Sequence, residues 1–142
     1  MPLYKHILVA VDLTAETHLV TEKAAALAKL YGADLGMIHV IEPMPNYAYG
    51  YVDMSGVEGD MKKDAATMMS EVGAKYGVPA ERQFVITGHV KHTILELAKE
   101  KGVDLIILGS HGRHGLQLLL GSTANAVLHG AECDVLTVRI KD

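Results

Sequence analysis

Apolar residues along this chain fall into two patterns. Short continuous runs alternate with longer stretches where apolar positions recur every three or four residues. The first run is His6-Ile7-Leu8-Val9-Ala10-Val11, with Asp12 at its end. A nearly unbroken run of this length predicts a strand covered on both faces. Thr14 and Thr17 are candidate N-caps for the next element. Val20, Ala24, Leu27, Ala28 and Tyr31 then recur at helical spacing, and Gly32 is placed to end that helix.

The alternation continues. Leu35–Ile41 predicts a second strand, and the segment from Glu42 to Ser55, with Pro43, Pro45, Gly50 and Tyr47, Tyr49 and Tyr51, predicts a long loop. A second helix is expected over 56–76, with Val57, Met61, Ala65, Met68 and Val72 as its core-facing stripe, stopped by Gly77-Val78-Pro79. Gln83–Ile86 predicts a third strand ending at Thr87-Gly88. Ile94, Leu97 and Ala98 mark a third helix closed near Gly102. Leu105–Leu108 predicts a fourth strand. Ser122–His129 predicts a fourth helix with Ala124, Val127 and Leu128 inward, and Asp134–Ile140 a fifth strand.

Five strands alternating with four helices predict a single α/β domain, 1–142. It would be an open parallel sheet with right-handed crossovers and helices on both faces. With strands one and four as neighbours the order is 3-2-1-4-5, and the switch point falls between them. Ligands of such sheets bind beyond the carboxyl ends of the strands at that point. Asp12 and Gly109 then flank one crevice, although nearly 100 residues separate them.

The chemistry at these ends suits a nucleotide. Residues 109–123 read Gly109-Ser110-His111-Gly112-Arg113-His114-Gly115, a mostly apolar stretch, then Gly121-Ser122-Thr123. Glycines let backbone approach a ligand, and the helix start offers unpaired N–H groups to phosphate. Asp12 is suited to a ribose hydroxyl, an adenine amine or a metal. Val40 and Ile41 offer an apolar wall and backbone groups to a base. The sequence contains neither G-x-x-x-x-G-K-[ST] nor a G-x-G-x-x-G after strand one, so it carries neither a P-loop nor the usual dinucleotide fingerprint. Ile86-Thr87-Gly88 lacks the terminal Asp that a phosphoacceptor receiver domain needs.

Composition narrows the class further. Thirteen basic residues against 17 acidic give a net charge of −4, with the lysines and arginines scattered, which excludes the basic footprint of a nucleic-acid binder. No apolar stretch reaches the length of a membrane span, and the start of the chain has no signal-peptide layout; a soluble, cytoplasmic protein is expected. Cys133 is the only cysteine, read as a small half-buried residue before the last strand. His89 and His92 have metal-compatible spacing but no evident third ligand, and are read as a solvated face.

The residues resemble the universal stress proteins over nearly the whole length. The likeness lies in Lys5–Asp12, Ile38-His39-Val40, Gly109-Ser110-His111-Gly112, Gly121-Ser122-Thr123-Ala124 and Cys133-Asp134-Val135-Leu136. It implies the adenine nucleotide alpha-hydrolase-like fold, order 3-2-1-4-5, and a homodimer paired through the last strand, Val135 to Ile140. One branch of the family binds ATP through G-x2-G-x9-G-[ST]. This chain has Gly109-x2-Gly112-x8-Gly121-Ser122, one residue shorter in the second gap.

Carried onto this sequence, the implied nucleotide site is Asp12, Leu13, Val40, Gly109, Ser110, His111, Gly112, Arg113, Gly121, Ser122 and Thr123. Its ligand would be ATP or another adenine nucleotide, with Mg an option at Asp12. A second branch lacks the glycines and binds no ATP. Three readings stay open: a dimeric nucleotide-binding stress protein, an interaction protein without nucleotide, and a slow ATPase or self-phosphorylating protein. The last has nearby Ser110, Ser122 and Thr123 but no residue resembling a positioned general base.

Overall fold

A computed structural model of the protein describes residues 3–11, 17–43, 55–109 and 122–139. Its strands are β1 (His6–Ala10), β2 (Asp34–Ile41), β3 (Gln83–Thr87), β4 (Leu105–Gly109) and β5 (Asp134–Val138). Its helices are α1 (Thr17–Tyr31), α2 (Ser55–Tyr76), α3 (Val90–Glu100) and α4 (Ser122–Gly130). Every described pairing is parallel and the order is β3-β2-β1-β4-β5. β1 is central: Ile7 pairs with Leu35 on one side and Leu105 on the other.

Strand side chains alternate between two cores. Ile7, Val9, Met37 and Ile107 meet Val20, Ala24 and Ala28 of α1 and Met69 of α2 on one face. Leu8, Ile38 and Ile106 meet Ile94 and Leu97 of α3 and Ala124 and Val127 of α4 on the other. Helices cover both faces, so the central strands read as unbroken apolar runs rather than alternating ones.

The helix ends follow the glycines. Gly32, Gly77 and Gly102 adopt positive φ of 66°, 72° and 65°. At each, the following residue donates its N–H to a carbonyl five residues back: Ala33 to Ala28, Val78 to Gly73 and Val103 to Ala98, all at 2.8 Å. These are Schellman closures, in which a left-handed glycine lets the chain turn back and cap the last carbonyls.

The structure corrects the expected stripes at three places. Met61 and Met68 stand 36% and 42% exposed, while Met69 is 1% exposed and carries the packing of α2 with Ala65 and Val72. Steps of three and four both fit a 3.6-residue period, so the stripe runs 65, 69, 72 instead of 65, 68, 72. Leu128 is 49% exposed, because Ala124 and Val127 already fill the face of α4 toward the sheet. β5 ends at Val138, short of the expected Ile140, which lies outside the described residues.

Polar groups lock the amino-terminal ends of the strands. Asp104 accepts the backbone N–H of Lys5 at 2.9 Å and of His6 at 3.1 Å. The Tyr4 hydroxyl donates to Asp134 at 2.8 Å, and that bond holds the phenol above its usual pKa. These contacts join β1, β4 and β5 at the end of the sheet opposite the crevice.

Gly73 yields one stability prediction. A Cβ there would collide with the side-chain amide of Gln83, which donates to the Val78 carbonyl at 2.8 Å, and would lie 3.0 Å from that carbonyl. Alanine is the better helix former by about 1 kcal/mol. Gly73→Ala is nevertheless expected to lower stability by about 1–2 kcal/mol, because steric displacement and a lost hydrogen bond outweigh propensity. Urea unfolding of Gly73→Ala, alone and with Gln83→Ala, checks this. The penalty should shrink by half or more in the double variant, and a more stable single variant would contradict it.

Candidate functional site

The parallel sheet brings all five carboxyl ends to one edge. At the switch point β1 pairs with β2 on one side and β4 on the other. Val11, which follows β1, is buried and leads directly to Asp12 in the sequence. Val40 lies one residue before the end of β2, half-buried. Gly109 is the last residue of β4, half-buried and paired with Val138 of β5. Ser122 opens α4, with Thr123 next and half-buried.

Of the sequence-derived site, the structure therefore places Val40, Gly109, Ser122 and Thr123 at the carboxyl edge. Asp12, Leu13, Ser110, His111, Gly112, Arg113 and Gly121 lie outside the described residues, as do the tyrosines at 47, 49 and 51.

Backbone direction matters at Val40. The Ile41 carbonyl accepts from Gly88 N–H at 2.9 Å, on the β3 side. The Ile38 carbonyl accepts from Val11 N–H at 2.8 Å, on the β1 side. Since direction alternates along a strand, Val40 turns its N–H and C=O toward β1. These groups sit just past the last β1–β2 rung among the described residues. Neither α3 nor α4 carries an acidic residue in its first turn, so no carboxylate there offsets the partial positive charge of the helix start.

A shallow depression of about 380 Å³ opens at the same edge, on the α3/α4 face. Glu42, Lys91, Thr123 and the two imidazoles of His89 and His92 line it. The imidazoles meet edge to face with centroids 6.3 Å apart. Both residues are exposed, and among the described residues no cluster of three or more His, Cys, Asp or Glu is placed to hold a metal ion.

Sequence reasoning did not join Glu42 and Lys91 to Thr123. β2–β3 pairing carries α3 to this edge, and no local motif announces it. Cys133 is half-buried before β5, and burial pushes its thiol pKa up, with Asp134 and Asp104 adding to the effect. Cys133 packs against the core shared by α3 and α4, as a small half-buried residue does.

The open parallel sheet in the order 3-2-1-4-5, with helices on both faces, is the α/β fold of the adenine nucleotide alpha-hydrolase-like type. Two solved structures share the arrangement. One, hypothetical protein MJ0577, superposes with a TM-score of 0.82 at 24% identity over 99% of each chain. The other, a universal stress protein in complex with cAMP, gives 0.69 at 20% identity over 96% of this chain and 97% of that one.

The family model of the universal stress proteins matches residues 3–139. The chain is also 49% identical, over 97% of each sequence, to universal stress protein A homolog 2 of Coxiella burnetii (strain RSA 493 / Nine Mile phase I). The chain belongs to the universal stress protein family. Among the described residues no helix is long and apolar enough to cross a membrane.

Proposed function

We propose that this universal stress protein is a cytoplasmic homodimer that binds ATP or a related adenine nucleotide at the carboxyl edge of its sheet. The observation that carries the reading is the convergence at the switch point. Val40 offers a backbone donor and acceptor toward β1, and Gly109 ends β4. Ser122 and Thr123 begin a helix with no acidic residue in its first turn. The base would lie against Val40, the ribose near Asp12 and Leu13, and the phosphates among Gly109–Arg113 and Gly121–Thr123. Were Mg to accompany the nucleotide, Asp12 would be the carboxylate to hold it, and the ion would offset phosphate charge. That a universal stress protein of the same fold was crystallised with cAMP supports an adenine ligand.

β5 supports the dimer. Among the described residues it pairs with β4 alone, and Leu136 is 38% exposed beside that free edge. An edge strand of this kind is protected by a partner. The second reading, an interaction protein without nucleotide, is favoured by the shortened gap between Gly112 and Gly121.

Native mass spectrometry of protein as purified separates the two. Twice the 15.3 kDa chain mass, plus one adenine nucleotide per chain, is expected. A bare protein that also shows no rise in melting temperature with millimolar MgATP would reject the nucleotide reading, and a single-chain mass at micromolar concentration would reject the dimer.

A further inference from the structure

At the last described position of the β1–β2 ladder a side chain meets the backbone. In a regular parallel ladder a residue gives its N–H to one neighbour-strand residue, and its carbonyl is taken by the N–H two positions further along. Val11 gives its N–H to Ile38, so the next rung would run from Val40 N–H to the Val11 carbonyl. Among the described residues that rung is not formed. The carbonyl instead meets the imidazole Nδ1 of His39 at 2.7 Å. A carbonyl only accepts, so Nδ1 carries the proton.

We propose that His39 is a positioning residue for the nucleotide site. Its half-buried imidazole takes the Val11 carbonyl that the Val40 N–H would otherwise use, and so keeps that N–H, beside the Val40 C=O, for the edge of the base. This rests on the nucleotide reading above and adds a specificity device to it. A neighbouring donor and acceptor on one backbone residue complement adenine, whose N1 accepts and whose N6 amine donates. Guanine presents O6 as acceptor and N1–H as donor at the corresponding positions, the reverse order. The same bond ties down Val11, the residue that precedes Asp12 in the sequence.

The ladder end is read without ligand by ¹⁵N NMR of the imidazole. A protonated Nδ1 on His39, together with faster amide exchange at Val40 than at Ile38, is expected. A bare Nδ1 or a protected Val40 amide would overturn the proposal. Binding then tests its consequence by calorimetry with ATP and GTP on wild type, His39→Leu and His39→Asn, with thermal melts as the fold control.

His39→Leu should lose roughly tenfold in ATP affinity and most of the preference for ATP over GTP, as expected for loss of one well-placed hydrogen bond. His39→Asn, whose amide can still donate to Val11, should recover much of both. Wild type that binds ATP, with a His39→Leu variant keeping its affinity and preference, would overturn the role of His39 alone. Wild type that binds no adenine nucleotide would overturn the nucleotide reading, while the NMR result still decides what ends the ladder.

Discussion

Replacing Ile107 with alanine should remove about 4 kcal/mol of stability, toward the upper end of the roughly 2–5 kcal/mol seen for buried Ile→Ala changes. Ile107 is wholly inaccessible in the middle of β4, paired with Val9 on one side and Leu136 on the other. Its side chain shares a core with Val9, Val20, Ala24, Met37 and Met69. Strands hydrogen-bonded on both flanks cannot slide together to fill a hole, so the site keeps most of its cavity. Total stability for a domain of this size is about 5–15 kcal/mol, so the variant loses a large part of it.

Urea unfolding followed by far-UV circular dichroism reads the change, with an unaltered m-value confirming that only the native state was weakened. Leu30→Ala is the control. Leu30 is 75% exposed on α1, and its truncation should cost no more than about 0.5 kcal/mol. Comparable losses at the two positions would contradict the packing described for β4.

That contrast marks what could be read from the chain. β1 and β4 announce themselves because helices on both faces turn every residue inward, and Ile7 to Val9 and Leu105 to Leu108 have no polar interruption. The glycine closures of α1, α2 and α3 were equally legible, since few residues besides glycine tolerate the left-handed turn that ends each helix. The choice between Met68 and Met69 was not legible. It depends on the roll of α2 against β3, and a period of 3.6 allows both.

The site divides in the same way. Val40, Gly109 and Thr123 were visible as strand ends and a helix start, because topology sends every parallel strand end to one edge. The direction of the Val40 amide and the part of His39 depend on where the β1–β2 ladder stops, a matter of register that no local pattern encodes. Glu42 and Lys91 reach Thr123 only through the β2–β3 pairing and the packing of α3 beside α4. Motifs therefore single out strand ends and helix starts better than the side chains that gather around them.

The largest functional effect is expected at Gly112. The connection between β4 and α4 is anchored at Gly109, paired with Val138, and at Ser122, the first residue of α4. Gly112 falls between these anchors in the spacing that the ATP-binding branch uses up to its second glycine. On the nucleotide reading proposed above, Gly112→Val puts a branched side chain where backbone would approach phosphate. Losing two charge-assisted hydrogen bonds, at about 1.5–3 kcal/mol each, weakens binding by two orders of magnitude or more.

Linkage makes this visible in a melt. Ligand at 100 times its Kd stabilises wild type by about 2.7 kcal/mol, on the order of 8–10 °C for a chain of this length, and a variant weakened 100-fold by only about 0.4 kcal/mol, roughly 1–2 °C. Gly112→Ala should fall between the two, since a single methyl displaces less. Thermal melts with and without 5 mM MgATP, with unliganded melting temperatures as the fold control, provide the measurement. A Gly112→Val protein that keeps wild-type affinity would move the phosphates out of this connection. The one-residue-shorter gap before Gly121 would then mark a chain that holds the nucleotide's phosphates outside this connection.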